Sequence, residues 1–166
     1  MDACNGRIIR EAGGLVGVWQ RWVAAHDVGS LARLSRKDSF GEVLPYLAFE
    51  GPLGEREHAE DVAMLIGRCF GEHREHCPNV GPFGRSMRMM WYNVGDGFDR
   101  RANRVLQSRN LVALSPVLLS MVRWMGTQSV SVDFVRLYYD VYMWGDVVRR
   151  RWAGAYYGGR ALTGEA

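Results

Sequence analysis

The class of fold follows from residues 62–70, which read VAMLIGRCF. The apolar residues of this segment recur at i, i+3, i+4, i+7 and i+8, and they are Val62, Leu65, Ile66, Cys69 and Phe70. This spacing places them along one stripe of an α-helix, whereas a strand requires alternation with a period of two. The segment therefore predicts an amphipathic helix that buries one face.

Helical spacing of apolar residues continues on both sides of this segment. It recurs over residues 15–23 and over residues 134–142, and no stretch alternates for long enough to predict a sheet. Turn-forming residues separate the periodic segments at short intervals. We therefore expect an all-α fold of about eight or nine short helices in two small packed bundles.

The densest cluster of turn-forming residues, CPNVGP at residues 77–82, predicts the boundary between the two bundles. We expect an N-terminal helical bundle over residues 11–78 and a C-terminal basic helical bundle over residues 79–158. Residues 1–10 and 159–166 are expected to form a flexible N-terminus and a flexible tail.

Basic residues are unevenly distributed along the chain. Arginine supplies 20 of the 21 basic residues, and the formal net charge is only +3. Residues 1–78 hold nine basic and twelve acidic side chains, whereas residues 79–166 hold twelve basic and six acidic ones. A basic half on a nearly neutral chain predicts a phosphate-bearing partner that binds from one side.

The cellular compartment is predicted from cysteine usage and hydropathy. The three cysteines, Cys4, Cys69 and Cys77, form an odd and sparse set that favours reduced thiols. No apolar run approaches the roughly 20 residues that a membrane span needs. Residues 1–7 are not followed by the apolar segment of a secretory signal. We expect a cytoplasmic protein that makes no membrane contact.

Common catalytic motifs are absent from the sequence, which has no phosphate-binding loop, nucleophile elbow or His-Glu-x-x-His motif. Cys69, His73, His76 and Cys77 offer four plausible zinc ligands, but they lie closer together than the paired ligands of usual zinc sites. Cys69 also belongs to the apolar stripe. We therefore predict no metal and no cofactor.

One enzymatic alternative remains. The segment from Arg68 to His73 fits the Arg-x4-His pattern of the helical HEPN ribonucleases. In that family the two residues act as phosphate stabiliser and as general base or acid. Gly71 interrupts the helix on which the motif normally lies. A HEPN-like, metal-independent ribonuclease is thus the alternative to a protein without catalytic residues.

The arginines favour a binding function. In residues 99–106, DRRANRVL, a helix at 100° per residue places Arg100, Arg101 and Arg104 within one third of its circumference, and the apolar residues cover the adjacent side. A second cluster, RRR, occupies residues 149–151. Guanidinium groups bind phosphate oxygens bidentately, so such clusters can follow a nucleic-acid backbone without reading bases.

Five stretches, taken in this order, resemble a known family. They are VWQRW at 18–22, GSLARLSR at 29–36, GRSM at 84–87, DRR at 99–101 and RRRWAGAYYG at 149–158. Their order and the length of the chain resemble CasB, the small subunit of the type I-E CRISPR surveillance complex, Cascade.

The resemblance implies a non-catalytic, all-helical protein. It implies as partners a second copy of the chain within the complex, together with the CasA, CasC and CasE subunits. The basic surface is expected to hold the target and the displaced non-target DNA strands, with the crRNA nearby, and thereby to stabilise the R-loop. In such complexes guide pairing supplies sequence recognition and the protein supplies backbone charge.

The resemblance also implies the nucleic-acid-binding residues, because basic sites of the family pattern fall on Arg36, Arg56, Arg85, Arg101 and Arg149. Helical geometry adds Arg100 and Arg104, and the second cluster adds Arg150.

The chain departs from the family pattern at two positions. The family often has two adjacent arginines near the end of the short second helix, where this chain has Ser35 and Arg36. Other members place an arginine pair on a later helix, where residues 111–122 are apolar here. Arg33 or Arg123 is the candidate to replace the missing charge.

Overall fold

The computed structural model describes residues 3–163, and all regular structure in that range is helical. The helices are α1 (Ala3–Ala24), α2 (Val28–Leu34), α3 (Phe40–Val43), α4 (Arg56–His73), α5 (Phe83–Val94), α6 (Asp99–Leu106), α7 (Leu111–Thr127), α8 (Phe134–Tyr142), α9 (Asp146–Tyr157) and α10 (Arg160–Thr163). Single 3₁₀ turns lie at Leu44–Tyr46, Leu53–Glu55 and Asp96–Phe98. The all-α class is confirmed, with eight described helices of seven or more residues. Within the same range, no helix has the length and apolar character needed to cross a membrane.

Helix α4 lies at the centre of the core. All five apolar residues of its stripe are buried, and the helix packs against α1, α2, α7 and α8. A line of aromatic contacts crosses this region: the ring centroids are 5.5 Å apart for Trp19 and Phe70, and 5.2 Å apart for Phe70 and Phe134. The predicted stripe is therefore the surface on which the surrounding helices assemble.

Helices α5 and α9 of the second half cross each other closely. A Cβ atom on Gly84 would lie 2.2 Å from the carbonyl oxygen of Trp152, so only glycine fits at this point of α5. The ring of Phe83 packs on Trp152 with centroids 4.8 Å apart. Helix α6 packs against both α7 and α9. It is therefore held between two longer helices at the surface.

The two halves of the chain pack into each other. Residues 77–82 form a loop, but α7 and α8, which follow that loop, pack on α4 and on α1. The loop is also tied to the start of α8: the backbone N–H of Phe134 donates to Nδ1 of His76 at 3.0 Å, and the N–H of Cys77 donates to the carbonyl of Val132 at 3.0 Å. Residues 11–78 thus bury their apolar surface together with helices from the second half.

Two segments that we expected from the sequence to be flexible belong to helices instead. Residues 3–10 form the first turns of α1, because Ile8 continues its apolar stripe and is fully buried. Buried Arg7 is paired with Glu11 at 3.1 Å. Arg160 lies in α10 and is 9% exposed. Residues 1–2 and 164–166 lie outside the described residues.

Candidate nucleic-acid interface

Helix α6 presents three arginines on one exposed side. Its apolar residues, Ala102, Val105 and Leu106, are buried, while Arg100, Arg101 and Arg104 are all exposed. A 3₁₀ turn leads into the helix, and the buried ring of Phe98 in that turn anchors it. We call the exposed side, defined by the three arginines, the α6 face.

The acidic residues beside the α6 face are occupied by other groups. Asp96 accepts a hydrogen bond from the indole of Trp91 at 2.9 Å. Asp99 accepts from the hydroxyl of Tyr156 at 2.6 Å and from Arg160 at 3.1 Å. Burial, together with the bond to Asp99, raises the pKa of Tyr156 well above its usual value, so the hydroxyl stays a donor. Among the described residues, no carboxylate lies within ion-pair distance of the three arginines of the α6 face.

Helix α7 forms the other wall of a groove beside the α6 face. The guanidinium of Arg101 lies over the ring of Trp124, 4.4 Å from its centroid, in a cation–π contact. The open groove, of about 280 Å³, is lined by Arg101, Arg104, Pro116, Val117, Ser120 and Met121. The indole of Trp124 therefore fixes the position of one guanidinium group beside this groove.

Helix α9 brings its arginines to the C-terminal end of α6, where they take different roles. Nε of Arg149 donates to the carbonyl oxygen of Leu106 at 2.6 Å, and Nη1 donates to Asp146 at 2.8 Å. A cation at this position satisfies an unpaired carbonyl and the negative end of the helix dipole. Arg150 is exposed. Arg149 thus holds α6 to α9, and Arg150 extends the basic surface of the α6 face.

Arg85 lies on the other side of α9. It is exposed in the first turn of α5, where Nη1 lies 3.4 Å from the carbonyl of Val80. It borders an open groove between α5 and α9.

Arg36 and Arg56 lie apart from this surface and from each other. Arg36 is exposed in the turn after α2, next to Ser35, whose backbone is close to Gly71 near the end of α4. Arg56 begins α4 and pairs with Glu60 at 3.1 Å. The length of α4 separates these two positions by roughly 22 Å at 1.5 Å per residue. The structure therefore groups five of the eight candidate arginines around α6, and places Arg85, Arg36 and Arg56 elsewhere.

Comparison with known proteins assigns the chain to a family. The family model described as CRISPR-associated protein Cse2 matches residues 28–157. The chain belongs to the Cse2 family. Cse2 is the CasB subunit of type I-E systems, so the resemblance seen in the sequence is confirmed. The curated proteins contain no match to the chain.

A solved structure described as a CRISPR RNA-guided surveillance complex has the same fold as this Cse2 chain. The TM-score is 0.71 at 18% sequence identity, and the alignment covers 95% of this chain and 98% of the other. At this identity the likeness establishes the fold, which extends over almost the whole length of both chains.

Two residues that shape the site in this Cse2 protein were not identified from the sequence. Trp124 supports Arg101, although it lies 23 positions away in the sequence. The guanidinium of Arg160, which was placed in the tail, lies 4.0 Å from the ring centroid of Trp91 and pairs with Asp99. No local pattern marks either contact, because both join elements that are distant in sequence.

The ribonuclease motif does not form an exposed site in this Cse2 fold. His73 is 8% exposed, and its Nε2 lies 2.6 Å from the carbonyl oxygen of Val130. Its ring also packs on Phe134 with centroids 5.6 Å apart. The imidazole therefore joins α4 to the loop before α8, where it is not accessible to a substrate.

The candidate zinc ligands have structural contacts instead. Cys69 is fully buried, and burial raises the pKa of its thiol to about 12, which keeps it protonated. His76 accepts the N–H of Phe134, and Cys77 is exposed. Within residues 3–163 no group of three or more His, Cys, Asp or Glu side chains is placed to hold a metal ion.

Proposed function

We propose that this Cse2 protein is the small subunit of a type I-E Cascade complex and holds DNA backbones against the α6 face. In this role it has no catalytic residues and acts in the cytoplasm. Its partners are a second copy of itself and the CasA, CasC and CasE subunits. The target and non-target DNA strands run along its basic surface, near the crRNA. Family membership and the accessible guanidinium groups of α6 support the assignment.

The observation that carries this proposal is the exposure of Arg100, Arg101 and Arg104 on one side of a short, firmly packed helix. Their neighbouring carboxylates, Asp96 and Asp99, are engaged by an indole, a phenol and another guanidinium. The positive charge therefore remains available for phosphate oxygens, which guanidinium forks bind in two-point contacts.

Such contacts stabilise an R-loop without reading its sequence. The guide heteroduplex is about as stable as the DNA duplex that it replaces, so a small number of backbone contacts shifts the balance. Each phosphate contact releases condensed counterions, which favours binding at low salt. Arg150 continues the surface beyond the α6 face. Arg85, Arg36 and Arg56 are proposed as separate contacts, on the other elements that carry them.

The test is charge reversal on the α6 face in a reconstituted complex. We expect the double variant Arg101→Glu/Arg104→Glu to shorten R-loop lifetime. The salt slope of DNA binding should also flatten by about 0.7–0.9 for each phosphate that the variant no longer binds. The matched control is Arg10→Glu/Arg21→Glu, which reverses two exposed charges on α1. The control should assemble and bind DNA like the wild type.

Two results would contradict the proposal. If the α6 variant assembles normally and keeps both its DNA affinity and its salt slope, the α6 face does not bind the backbone. If the purified wild-type protein cleaves labelled RNA in the presence of a chelator, the assignment as a non-catalytic subunit is wrong.

A further inference from the structure

The groove between α5 and α9 combines an aromatic wall with a floor that lacks large side chains. It is lined by Arg85, Arg88, Met89, Tyr92, Gly154 and Ala155. Its volume is about 530 Å³, within the roughly 300–1,000 Å³ typical of clefts that bind small molecules. We call it the α5–α9 groove.

The aromatic wall is exposed to solvent. Tyr92 is 50% exposed and Met89 is 48% exposed, whereas Trp91 between them in sequence is 8% exposed. The guanidinium of Arg88 lies 5.9 Å from the ring centroid of Tyr92 and donates a hydrogen bond to the carbonyl of Gly158. These contacts hold Arg88 beside the ring, and Tyr92 lines the groove. An exposed, positioned aromatic face is what a nucleic-acid base stacks on.

The floor of the groove is formed by two small residues of α9, Gly154 and Ala155, which leave space above the helix. Among the described residues, a Cβ atom on Gly154 would meet no atom outside its own stretch of helix within 4 Å, and Gly154 is exposed on α9. Ala155 beside it contributes only a methyl group. This part of α9 is therefore an open surface on which an unpaired planar ring can be placed.

The groove is also basic, and the exposed side of α9 lies between it and α6. Among the described residues, its lining contains two arginines and no acidic side chain. On α9, Arg150 and Gly154 are four positions apart, so they lie on the same side of the helix. Arg150 also borders an open groove at the end of α6, with Leu106 and with Asp146, which pairs with Arg149. A single strand that follows the α6 face can thus pass Arg150 and reach Gly154 and Arg85.

We propose that the α5–α9 groove binds one unpaired base of a single-stranded nucleic acid, which stacks on Tyr92 above Gly154 while Arg85 contacts its phosphate. This inference rests on the proposed function, because it extends the path of a strand already held by the α6 face. It adds a contact with the base itself, which the backbone-binding arginines do not make. Stacking is tolerant of sequence, since every base has a π-face.

The decisive variant fills the groove without removing a charge. Gly154→Leu places a side chain in open space on an exposed helical position, so we expect the fold to be retained and the helix to be strengthened. The probe is a labelled single-stranded oligothymidylate, measured with the full chain and with the reconstituted complex. We expect binding to weaken by about 5- to 150-fold, the range for the stacking of one base, with an unchanged salt slope.

Three further variants separate base stacking from the phosphate contact. Tyr92→Ala should weaken binding as Gly154→Leu does, whereas Tyr92→Phe should keep most of the affinity because the ring remains. Arg85→Gln should instead flatten the salt slope. With the wild type, an abasic nucleotide at one position of the probe should reduce affinity. With Tyr92→Ala it should have no further effect.

The outcomes distinguish this inference from the proposed function. If Gly154→Leu and Tyr92→Ala bind oligothymidylate like the wild type, the base site is excluded, while weaker binding by Arg101→Glu/Arg104→Glu would leave the proposed function intact. If Gly154→Leu binds nucleic acid normally but no longer assembles into the complex, the groove docks a protein, and the inference is overturned. If the α6 variant also binds normally, the proposed function itself fails.

Discussion

At the scale of single residues, equal formal charges have unequal roles because their contacts differ. The run of three arginines at 149–151 illustrates this. Arg149 donates to the carbonyl of Leu106, and Arg151 pairs with buried Asp140 at 2.8 Å. Only Arg150 is exposed without a carboxylate in ion-pair distance among the described residues. Counting charges in the sequence therefore overstates the surface that is available to phosphates.

His76 links the pH to the stability of the fold. Its Nδ1 accepts the backbone N–H of Phe134, which requires the neutral ring. Burial lowers the pKa of His76, and the carboxylate of Asp133 offsets only part of that effect. The unfolded chain, with an ordinary pKa near 6.5, thus binds the proton more tightly than the folded protein.

We expect acid to destabilise the protein through His76. The free energy of unfolding should fall as the pH drops below about 6.5, because the unfolded state gains a proton there first. Denaturant unfolding at several pH values between about 7.5 and 5.5 measures how the free energy of unfolding changes with pH. His76→Gln should have a shallower slope than the wild type. The exposed turn residue His26 provides the control, and equal slopes in His76→Gln and His26→Gln would contradict the assignment.

At the scale of elements, α6 is a short helix that owes its position to its neighbours. Its eight residues are too few to form a stable helix alone. Phe98, just before it, packs between Trp124 and Tyr156, with ring centroids 5.5 and 5.9 Å away. Arg149 holds the opposite end. Long helices on both sides thus fix the direction in which the α6 face points.

The crossing of α5 and α9 provides a test of element packing. Gly84→Ala would place a Cβ atom against the backbone oxygen of Trp152, so the helices must separate. We expect the free energy of unfolding to fall by about 3 kcal/mol or more, the upper range for overpacked cores. Gly154→Ala, on the open side of α9, should instead raise it by up to about 1 kcal/mol through helix propensity.

Denaturant unfolding monitored by circular dichroism measures both variants. Equal stability of the two would show that the helices do not approach at Gly84 as described.

At the scale of the whole molecule, the charge asymmetry and the core follow different divisions of the chain. The second half of the sequence carries the excess of basic residues. The hydrophobic core is not divided in the same way, because α7 and α8 from the second half pack on α4 and α1 from the first. The buried apolar residues form one continuous cluster. The basic surface is therefore built on a core to which both halves contribute.

We expect the isolated segment 1–78 not to fold. Without α8, the side of α1 that carries Leu15 and Trp19 is exposed to solvent in the fragment, although both residues are buried in the full chain. The fragment should show no cooperative unfolding transition, whereas the full chain should lose helical circular dichroism and tryptophan fluorescence in one coincident transition. A cooperative transition of the fragment, or two separate transitions of the full chain, would favour two independent bundles.

The sequence by itself determined the helical class, the uneven charge and the family, because these depend on local spacing and on short motifs. The amphipathic pattern of 99–106 also predicted which arginines of α6 are exposed, since a helix converts spacing directly into a face. Only the tertiary structure decided that Arg149 is bound to Leu106, that Arg160 occupies Asp99, and that Tyr92 borders an open groove. Those contacts join residues far apart along the chain, and their geometry depends on how whole helices pack.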